Sequence, residues 1–212
     1  MTPPRVAFQG EPGAFGELAI VRRWRSEAQP VAVPTFGAVL DQVVEGTSDF
    51  AVLPVWNSTV GDVHDAHAAL RAQEHRVEVC DEVVTPVRHA LLARPGASLD
   101  TVRWAGSHPV ALGQCSRFFV RHPAIAAIPA YDTAGAAREL DRFGARDVPN
   151  AATTCRPWYA ELPVTAPDAL GVVASATVAC RYGLVVLDDG IQDDPENATR
   201  FAVLRRRETG RW

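Results

Sequence analysis

Residues 6–13, with the sequence VAFQGEPG, decide the fold class because the backbone preference changes within this short stretch. The apolar residues 6–8 predict a strand, the glycines Gly10 and Gly13 predict a turn, and residues 14–25 have a helical composition. The same order recurs as a strand over 31–33, a helix over 36–44 and a strand over 50–55. This alternation is typical of α/β layers with a largely parallel sheet.

The alternation continues to the end of the chain. After a helix over 62–72, an apolar run over 77–87 is long enough to cross between two lobes. We predict further strands over 90–93, 102–105, 126–130, 171–174, 184–187 and 201–204, with helices over 109–120, 134–142 and 175–181. Because ligands of open α/β sheets bind at the carboxyl ends of strands, the polar loops at those ends should converge on one cleft.

Residues 144–168 interrupt this rhythm. They contain four prolines and the aromatic pair Trp158-Tyr159, which indicates an inserted loop. The loop is either a tether or a lid over the cleft.

Composition excludes several classes of function. All 21 basic residues are arginine, and without lysine the chain cannot form a Schiff base, anchor pyridoxal phosphate or build a P-loop. The net charge of -4 argues against a general nucleic-acid binder, so the short basic run over 205–207 indicates a solvated strand edge. With no apolar stretch of about 18 residues, we expect a soluble, cytoplasmic protein with no membrane partner. The four cysteines are widely spread, which predicts reduced thiols.

Residues 190–201, GIQDDPENATRF, place an acidic turn directly before an apolar strand. Thr199 and Arg200 are therefore predicted at a loop-to-strand junction, where functional residues are common. This position puts a hydroxyl beside a guanidinium.

The sequence of residues 190–201 resembles the signature of prephenate dehydratases and the related arogenate dehydratases. Further blocks resemble the same family in the same order: residues 6–15, 53–58 with Gly61, 86–89, 107–115, 132–137 and 174–175. The resemblance implies two α/β subdomains with a cleft between them, as in the type II periplasmic-binding-protein fold. Subdomain 1 would comprise about 1–80 and 188–212, and subdomain 2 about 81–187.

The resemblance also implies an activity, the dehydration and decarboxylation of prephenate to phenylpyruvate, CO2 and water in phenylalanine biosynthesis. It implies no metal, no organic cofactor and, by family analogy, a homodimer. Longer family members carry a C-terminal ACT domain that binds phenylalanine, and since this sequence ends at Trp212, feedback inhibition by that route is expected to be absent. Three alternatives stay open: an arogenate dehydratase, a prephenate decarboxylase of a specialised pathway, and a non-catalytic module that binds small acids.

Prephenate has two carboxylates and a leaving hydroxyl, so its site needs anion donors and a proton source. Thr199 is expected to protonate or hydrogen-bond the departing hydroxyl, supported by the charge of Arg200. Arg200 could instead form a surface ion pair with Asp193 or Asp194. The expected substrate-binding residues are Asn57, Ser58, Ser107, Gln114, Thr133, Ser175 and Phe201. Turn or cap roles are the alternative for the polar members of this set.

Two local features bear on specificity and on metals. Trp56 stands where the family has a glutamate, and it fills a gap beside the site, changes the ring that the pocket accepts, or reduces activity. It is also the best support for the binding module. Residues 62–67, DVHDAH, place His64 and His67 on one helix face, but no third ligand is apparent and no metal site is predicted.

Overall fold

The computed structural model describes residues 2–143, 157–164 and 166–208. Two compact units make up the chain: unit 1 consists of Met1–Val87 and Glu196–Trp212, and unit 2 consists of Arg88–Pro195. The chain thus passes from unit 1 to unit 2 after Val87 and returns after Pro195.

Eleven strands lie in the described residues: β1 (Arg5–Gln9), β2 (Gln29–Val33), β3 (Phe50–Asn57), β4 (Gly61–Asp62), β5 (Val77–Pro86), β6 (Ala90–Ala93), β7 (Trp104–Ser107), β8 (Ala126–Pro129), β9 (Leu170–Ala174), β10 (Val185–Asp189) and β11 (Ala198–Arg206). The helices of the same ranges are α1 (Phe15–Trp24), α2 (Phe36–Val44), α3 (His64–Gln73), α4 (Pro109–Gly113), α5 (Ser116–Arg121), α6 (Thr133–Asp141) and α7 (Val178–Arg181). A 3-10 turn, Pro167–Ala169, precedes β9. The α/β class and its two subdomains, predicted from the sequence, are confirmed.

The sheet of unit 1 has the order β2-β1-β3-β11-β5, with β4 paired to the end of β3. β1 runs parallel to β2 and β3, whereas β11 runs antiparallel to both β3 and β5. The expectation of a largely parallel sheet is wrong for this half, because the returning strand β11 inserts in the opposite direction.

Apolar side chains cover both faces of this sheet. On one face, Leu53 and Leu204 pack with Leu40 of α2, and on the other, Phe8 and Phe201 pack with Ile20 of α1. Because neighbouring residues of a strand face opposite sides, helix packing on both faces explains why β1, β3 and β11 have apolar runs.

Unit 2 has a sheet of order β10-β6-β9-β7-β8. β7 is parallel to its neighbours β8 and β9, whereas β6 is antiparallel to β9 and β10. Leu91, Val173 and Phe118 lie in its core. This mixed sheet places the carboxyl ends of β9, β7 and β8 at one edge.

The helix predicted over 109–120 is two helices, α4 and α5. Asp193 explains the break, because its carboxylate accepts hydrogen bonds from the backbone amides of Ser116 (3.0 Å) and Arg117 (2.9 Å) at the start of α5. A side-chain acceptor at this position caps a new helix.

The inserted loop lies mainly outside the described residues, including 144–156. Its later part, 157–164, contacts α6: the Trp158 indole N–H donates to the carbonyl of Ala136 (3.3 Å) and the Tyr159 hydroxyl to that of Glu139 (3.1 Å). Whether the inserted loop over 144–168 is a tether or a lid is not decided by these contacts, and both stay predictions. None of the helices in the described ranges has the length and apolarity that a membrane crossing requires.

Candidate active site

A polar cluster, formed by Asn57, Ser58, Asn197 and Thr199, lies where the end of β3 meets the start of β11 in unit 1. Thr199 is the cross-strand partner of Asn57. The exposed fractions are 6% for Asn57, 1% for Asn197 and 8% for Thr199. Buried polar groups at the end of an otherwise apolar sheet need partners, and here they bond mainly with one another.

The Asn57 amide organises the polar cluster. Its Nδ2 donates to Thr199 Oγ1 (2.9 Å), Asn197 Oδ1 (2.9 Å) and the carbonyl of Ala198 (3.0 Å). Its Oδ1 accepts from the backbone N–H (3.0 Å) and the hydroxyl (2.7 Å) of Thr59. Because both ends of the amide are engaged, its orientation is set.

Thr199 consequently has a defined role in hydrogen bonding. Its oxygen accepts from Asn57, so its own proton is available to another acceptor. Within the described part of the chain, no titratable side chain hydrogen-bonds to Thr199. This hydroxyl is a neutral donor whose oxygen is stabilised by an amide N–H.

Ser58 holds the start of β11 in place. Its Oγ accepts from the backbone N–H of Ala198 (3.0 Å) and donates to Asn197 Oδ1 (3.4 Å), while its own N–H donates to the carbonyl of Ala198 (2.9 Å). The Ser58 proton is therefore already engaged, which favours the turn role over substrate binding.

Asn197 lies within the motif over 190–201 but is not among the site residues that the sequence predicts. Its Oδ1 accepts from Asn57 and Ser58, so it holds both side chains at the start of β11. The signal was its spacing, since residues 197 and 199 point to the same side of an extended segment.

Thr85 is a second residue that the sequence does not identify. It is buried beside Thr199 on β5, and its hydroxyl has no hydrogen-bond partner among the described residues.

Arg200 lies on the opposite face of the sheet from Thr199. Its cross-strand partners are Trp56 and Val84, both exposed, whereas the partners of Thr199 are buried. The guanidinium carbon lies 5.6 Å from the centroid of the Trp56 ring, a cation–π distance. Because successive side chains of a strand face opposite sides, this position does not favour the expectation that Arg200 supports Thr199 with charge, which stays a prediction. The Asp193 carboxylate caps α5 within unit 2, and an ion pair of Arg200 with Asp193 or Asp194 stays a prediction.

Phe201 belongs to the core of unit 1. With an exposed fraction of 3%, it packs with Phe8, Ile20 and Val52. Its burial there assigns it to packing rather than to substrate contact.

Three predicted residues of unit 2 lie at the edge formed by the carboxyl ends of the parallel strands. Ser107 ends β7, Ser175 follows β9, and Thr133 begins α6 just after β8. The Ser107 hydroxyl donates to the carbonyl of Val173 (2.6 Å), and the Ser175 hydroxyl shares a bond with that of Thr177 (2.9 Å). Thr133 is half-buried, in the first turn of a nine-residue helix.

Asp132 caps α6 through the backbone amide of Gly135. Burial raises the pKa of this carboxyl above its ordinary value, opposed by its hydrogen bond to that amide. Asp132, directly before Thr133, is therefore the cap of α6.

Gln114 lies inside unit 2 against a buried histidine. Its Oε1 is 3.1 Å from His89 Nε2, and its backbone carbonyl accepts from the N–H of Asp193 (2.7 Å). Burial lowers the pKa of His89, so the imidazole is neutral at pH 7. These contacts give Gln114 a structural role in this unit.

His67 is engaged within unit 1, where its Nε2 lies 2.9 Å from the carbonyl of Val55. In the described ranges, no group of three His, Cys, Asp or Glu side chains is arranged to hold a metal ion. The contact with Val55 links α3 to β3.

A sequence model of the prephenate dehydratase family matches residues 6–209. The chain belongs to this family. Among curated relatives, arogenate dehydratase/prephenate dehydratase 1 of Arabidopsis thaliana is 35% identical over 95% of this chain and 45% of its own length. Arogenate dehydratase 5 of the same plant is 38% identical over 95% of this chain and 42% of its own length. The chain therefore spans less than half the length of these relatives.

Comparison with solved structures shows that this chain has the fold of prephenate dehydratases. The prephenate dehydratase of Arthrobacter aurescens, solved in complex with L-Phe, has a TM-score of 0.76 at 24% identity, covering 98% of this chain and 63% of that one. GqqA, a quorum-quenching acylase, also has a TM-score of 0.76, at 30% identity, covering 97% of this chain and 65% of that one. The recognition of a prephenate dehydratase family member from its sequence blocks is confirmed.

Proposed function

We propose that this chain dehydrates and decarboxylates prephenate, giving phenylpyruvate, CO2 and water. Family membership supports the reaction class, and one observation carries the chemistry: the buried Asn57 amide donates to the Thr199 oxygen and leaves the Thr199 proton free to donate. Arogenate is the alternative substrate, since it undergoes the same loss of carboxylate and hydroxyl.

In the proposed reaction, two bonds to the ring break and Thr199 supplies one proton. The bond between the ring and its carboxylate breaks and releases CO2, and its electron pair enters the ring. The bond between the opposite ring carbon and its hydroxyl breaks, and that oxygen leaves as water with the proton of Thr199. A solvent proton then restores the Thr199 hydroxyl. Aromatisation of the ring drives the step.

Asn57 makes Thr199 a better proton donor in this scheme. Negative charge develops on Thr199 Oγ1 as its proton moves, and a hydrogen bond to the charged form favours that form. The Asn57 N–H at 2.9 Å is already aimed at the oxygen where charge develops. The role that the sequence assigned to Arg200 passes to a neutral amide.

For substrate binding in unit 2, we propose Thr133 ahead of Ser107. The Ser107 proton is used on the carbonyl of Val173, so that hydroxyl cannot also donate to a carboxylate. Thr133 is the first residue of α6, where the positive end of the helix dipole favours an anion, although Asp132 already occupies the Gly135 amide of that turn. For substrate binding, we rank Ser175 between Thr133 and Ser107, because either Ser175 or Thr177 can be the donor in the hydrogen bond between their hydroxyls.

The test is the product formed by the purified chain from prephenate and, separately, from arogenate. Product mass separates phenylpyruvate, phenylalanine and a decarboxylated but non-aromatised ring, which are the outcomes for the dehydratase, the arogenate dehydratase and the decarboxylase. Thr199→Ser should retain turnover and Thr199→Val should lose it, by roughly 100-fold or more. Thr85→Val is the matched control, since it removes a neighbouring buried hydroxyl without breaking a bond to the polar cluster.

Two results would contradict the proposal. Saturable binding of prephenate by calorimetry without turnover would favour the small-acid binding module. Acylase activity, which is how GqqA is described, would favour an acylase. The polar cluster does not support an acylase, because a threonine nucleophile needs a base and none bonds to Thr199 among the described residues.

A further inference from the structure

Trp56 and Arg200 form a cross-strand pair next to the pair of Asn57 and Thr199. The indole and the guanidinium stack at 5.6 Å on the face of the sheet opposite Thr199, where Trp56 has an exposed fraction of 36%. The two pairs are successive along both strands. Any contact that holds one pair together therefore also restrains the other.

The hydrogen-bond ladder between β3 and β11 is interrupted next to these pairs. Arg200 pairs with Trp56, but Phe201 pairs with Pro54, so that Val55 is an extra residue on β3. Such a bulge disrupts the ladder locally, and Pro54 has no N–H to donate. The last two pairs depend on their own side-chain contacts more than pairs in the middle of the sheet do.

We propose that Trp56 is a positioning residue, whose stack on Arg200 holds the end of β3 against β11 and thereby keeps the Asn57 amide at hydrogen-bonding distance from the Thr199 hydroxyl. The proposal deepens the proposed function, since it rests on the Thr199 hydroxyl being the working group. It gives Arg200 a task without placing its charge at the reacting atoms. Neither side chain touches the substrate in this scheme.

The kinetic test compares Trp56→Ala, Trp56→Phe, Arg200→Ala and the double Ala variant. Loss of the stack should lower kcat roughly tenfold and change KM less than about twofold, because the proton donor is misplaced while substrate contacts stay. Trp56→Phe keeps a ring for the guanidinium and should recover most of kcat. The double variant should be no slower than either single variant, because both remove the same contact.

The chain offers a control on α1. The Arg23 guanidinium lies 5.2 Å from the ring of Trp24, so Arg23→Ala also removes an exposed arginine stacked on an indole, together with its ion pair to Asp81 of β5 (2.6 Å). It should leave kcat unchanged. Equal losses of kcat in Arg23→Ala and Arg200→Ala, or additive effects of the two Ala substitutions at 56 and 200, would overturn the proposal.

A measurement without substrate separates this proposal from the proposed function. The side-chain amide signal of Asn57, followed by NMR in nitrogen-15-labelled protein, should shift and broaden in Trp56→Ala but not in Arg23→Ala. An unchanged Asn57 signal in Trp56→Ala overturns the positioning role, whatever the activity. If the wild type turns over neither prephenate nor arogenate while the signal still moves, the proposed function fails and the positioning role stands.

Discussion

Asn57→Asp tests the direction of the hydrogen bond on which the proposed chemistry depends. The substitution keeps the shape of the side chain but replaces the Nδ2 donor with a carboxylate oxygen. Thr199 Oγ1, now 2.9 Å from an acceptor, would turn its proton toward the carboxylate and no longer offer it to the substrate. The isosteric change therefore removes the proton donor while the threonine itself remains.

The magnitude follows from the contacts that are lost. A positioned proton donor contributes about 100- to 10,000-fold, so we expect kcat of Asn57→Asp at pH 7 to fall by at least 100-fold. The new carboxylate would also face Asn197 Oδ1 and the carbonyl of Ala198 at the present distances of 2.9 and 3.0 Å. Facing buried acceptors should lower the free energy of unfolding by about 1–3 kcal/mol.

The pH profile gives the sharper result. Burial and neighbouring acceptors oppose the charged form, so the pKa of the introduced carboxyl should be above the ordinary value of an aspartate. Once protonated, the carboxyl can donate to Thr199 as the amide does. Activity of Asn57→Asp should therefore rise as the pH falls through that pKa, and Asn57→Ala should show no such rise.

Steady-state kcat, measured against pH for the wild type and both variants, checks this reasoning. Melting temperatures at each pH control for loss of the fold. A near-wild-type kcat for Asn57→Asp at pH 7 would refute the assigned direction of the hydrogen bond. Matching pH profiles for the Asp and Ala variants would refute it as well.

Three further predictions concern stability. Phe201→Ala should lower the free energy of unfolding by about 3–5 kcal/mol, seen in denaturant melts, because a buried core ring is removed, and an unchanged midpoint would contradict its packing role. Because burial holds the pKa of His89 below its usual 6.5, the unfolded chain takes up a proton first and stability should fall as the pH drops below about 6.5, a dependence that His89→Gln should flatten. Asp193→Ala should lower the free energy of unfolding by about 1–2 kcal/mol, and with it the melting temperature, because the cap on Ser116 and Arg117 is lost.

Strands and helices were predictable wherever the apolar period matched the burial of the element. The strand over 6–8 and the helix over 36–44 are examples, since each places its apolar residues against one of the two cores of unit 1. The break between α4 and α5 was not predictable, because it depends on Asp193, which is distant in sequence from Ser116. Local composition does not record such a cap.

For the site, the sequence identified residue types but not the faces on which their side chains lie. Thr199 and Arg200 are neighbours in the chain, so their proximity was assumed to be functional. Strand geometry separates them, since Thr199 joins the buried polar cluster and Arg200 lies on the exposed face. Strand geometry also places Trp56 on the face of Arg200, away from the Thr199 hydroxyl.

The motif over 190–201 is divided by the boundary between the two units, which falls after Pro195. On the unit 2 side, Gln192 accepts from the backbone N–H of His89 (3.0 Å) and Asp193 caps α5. On the unit 1 side, Asn197 and Thr199 form the polar cluster with Asn57. Substitutions in the first half should therefore act through the stability of unit 2, and those in the second half through kcat. One contiguous stretch thus combines a structural cap with the proposed proton donor, and only the position of each residue relative to β11 distinguishes the two roles.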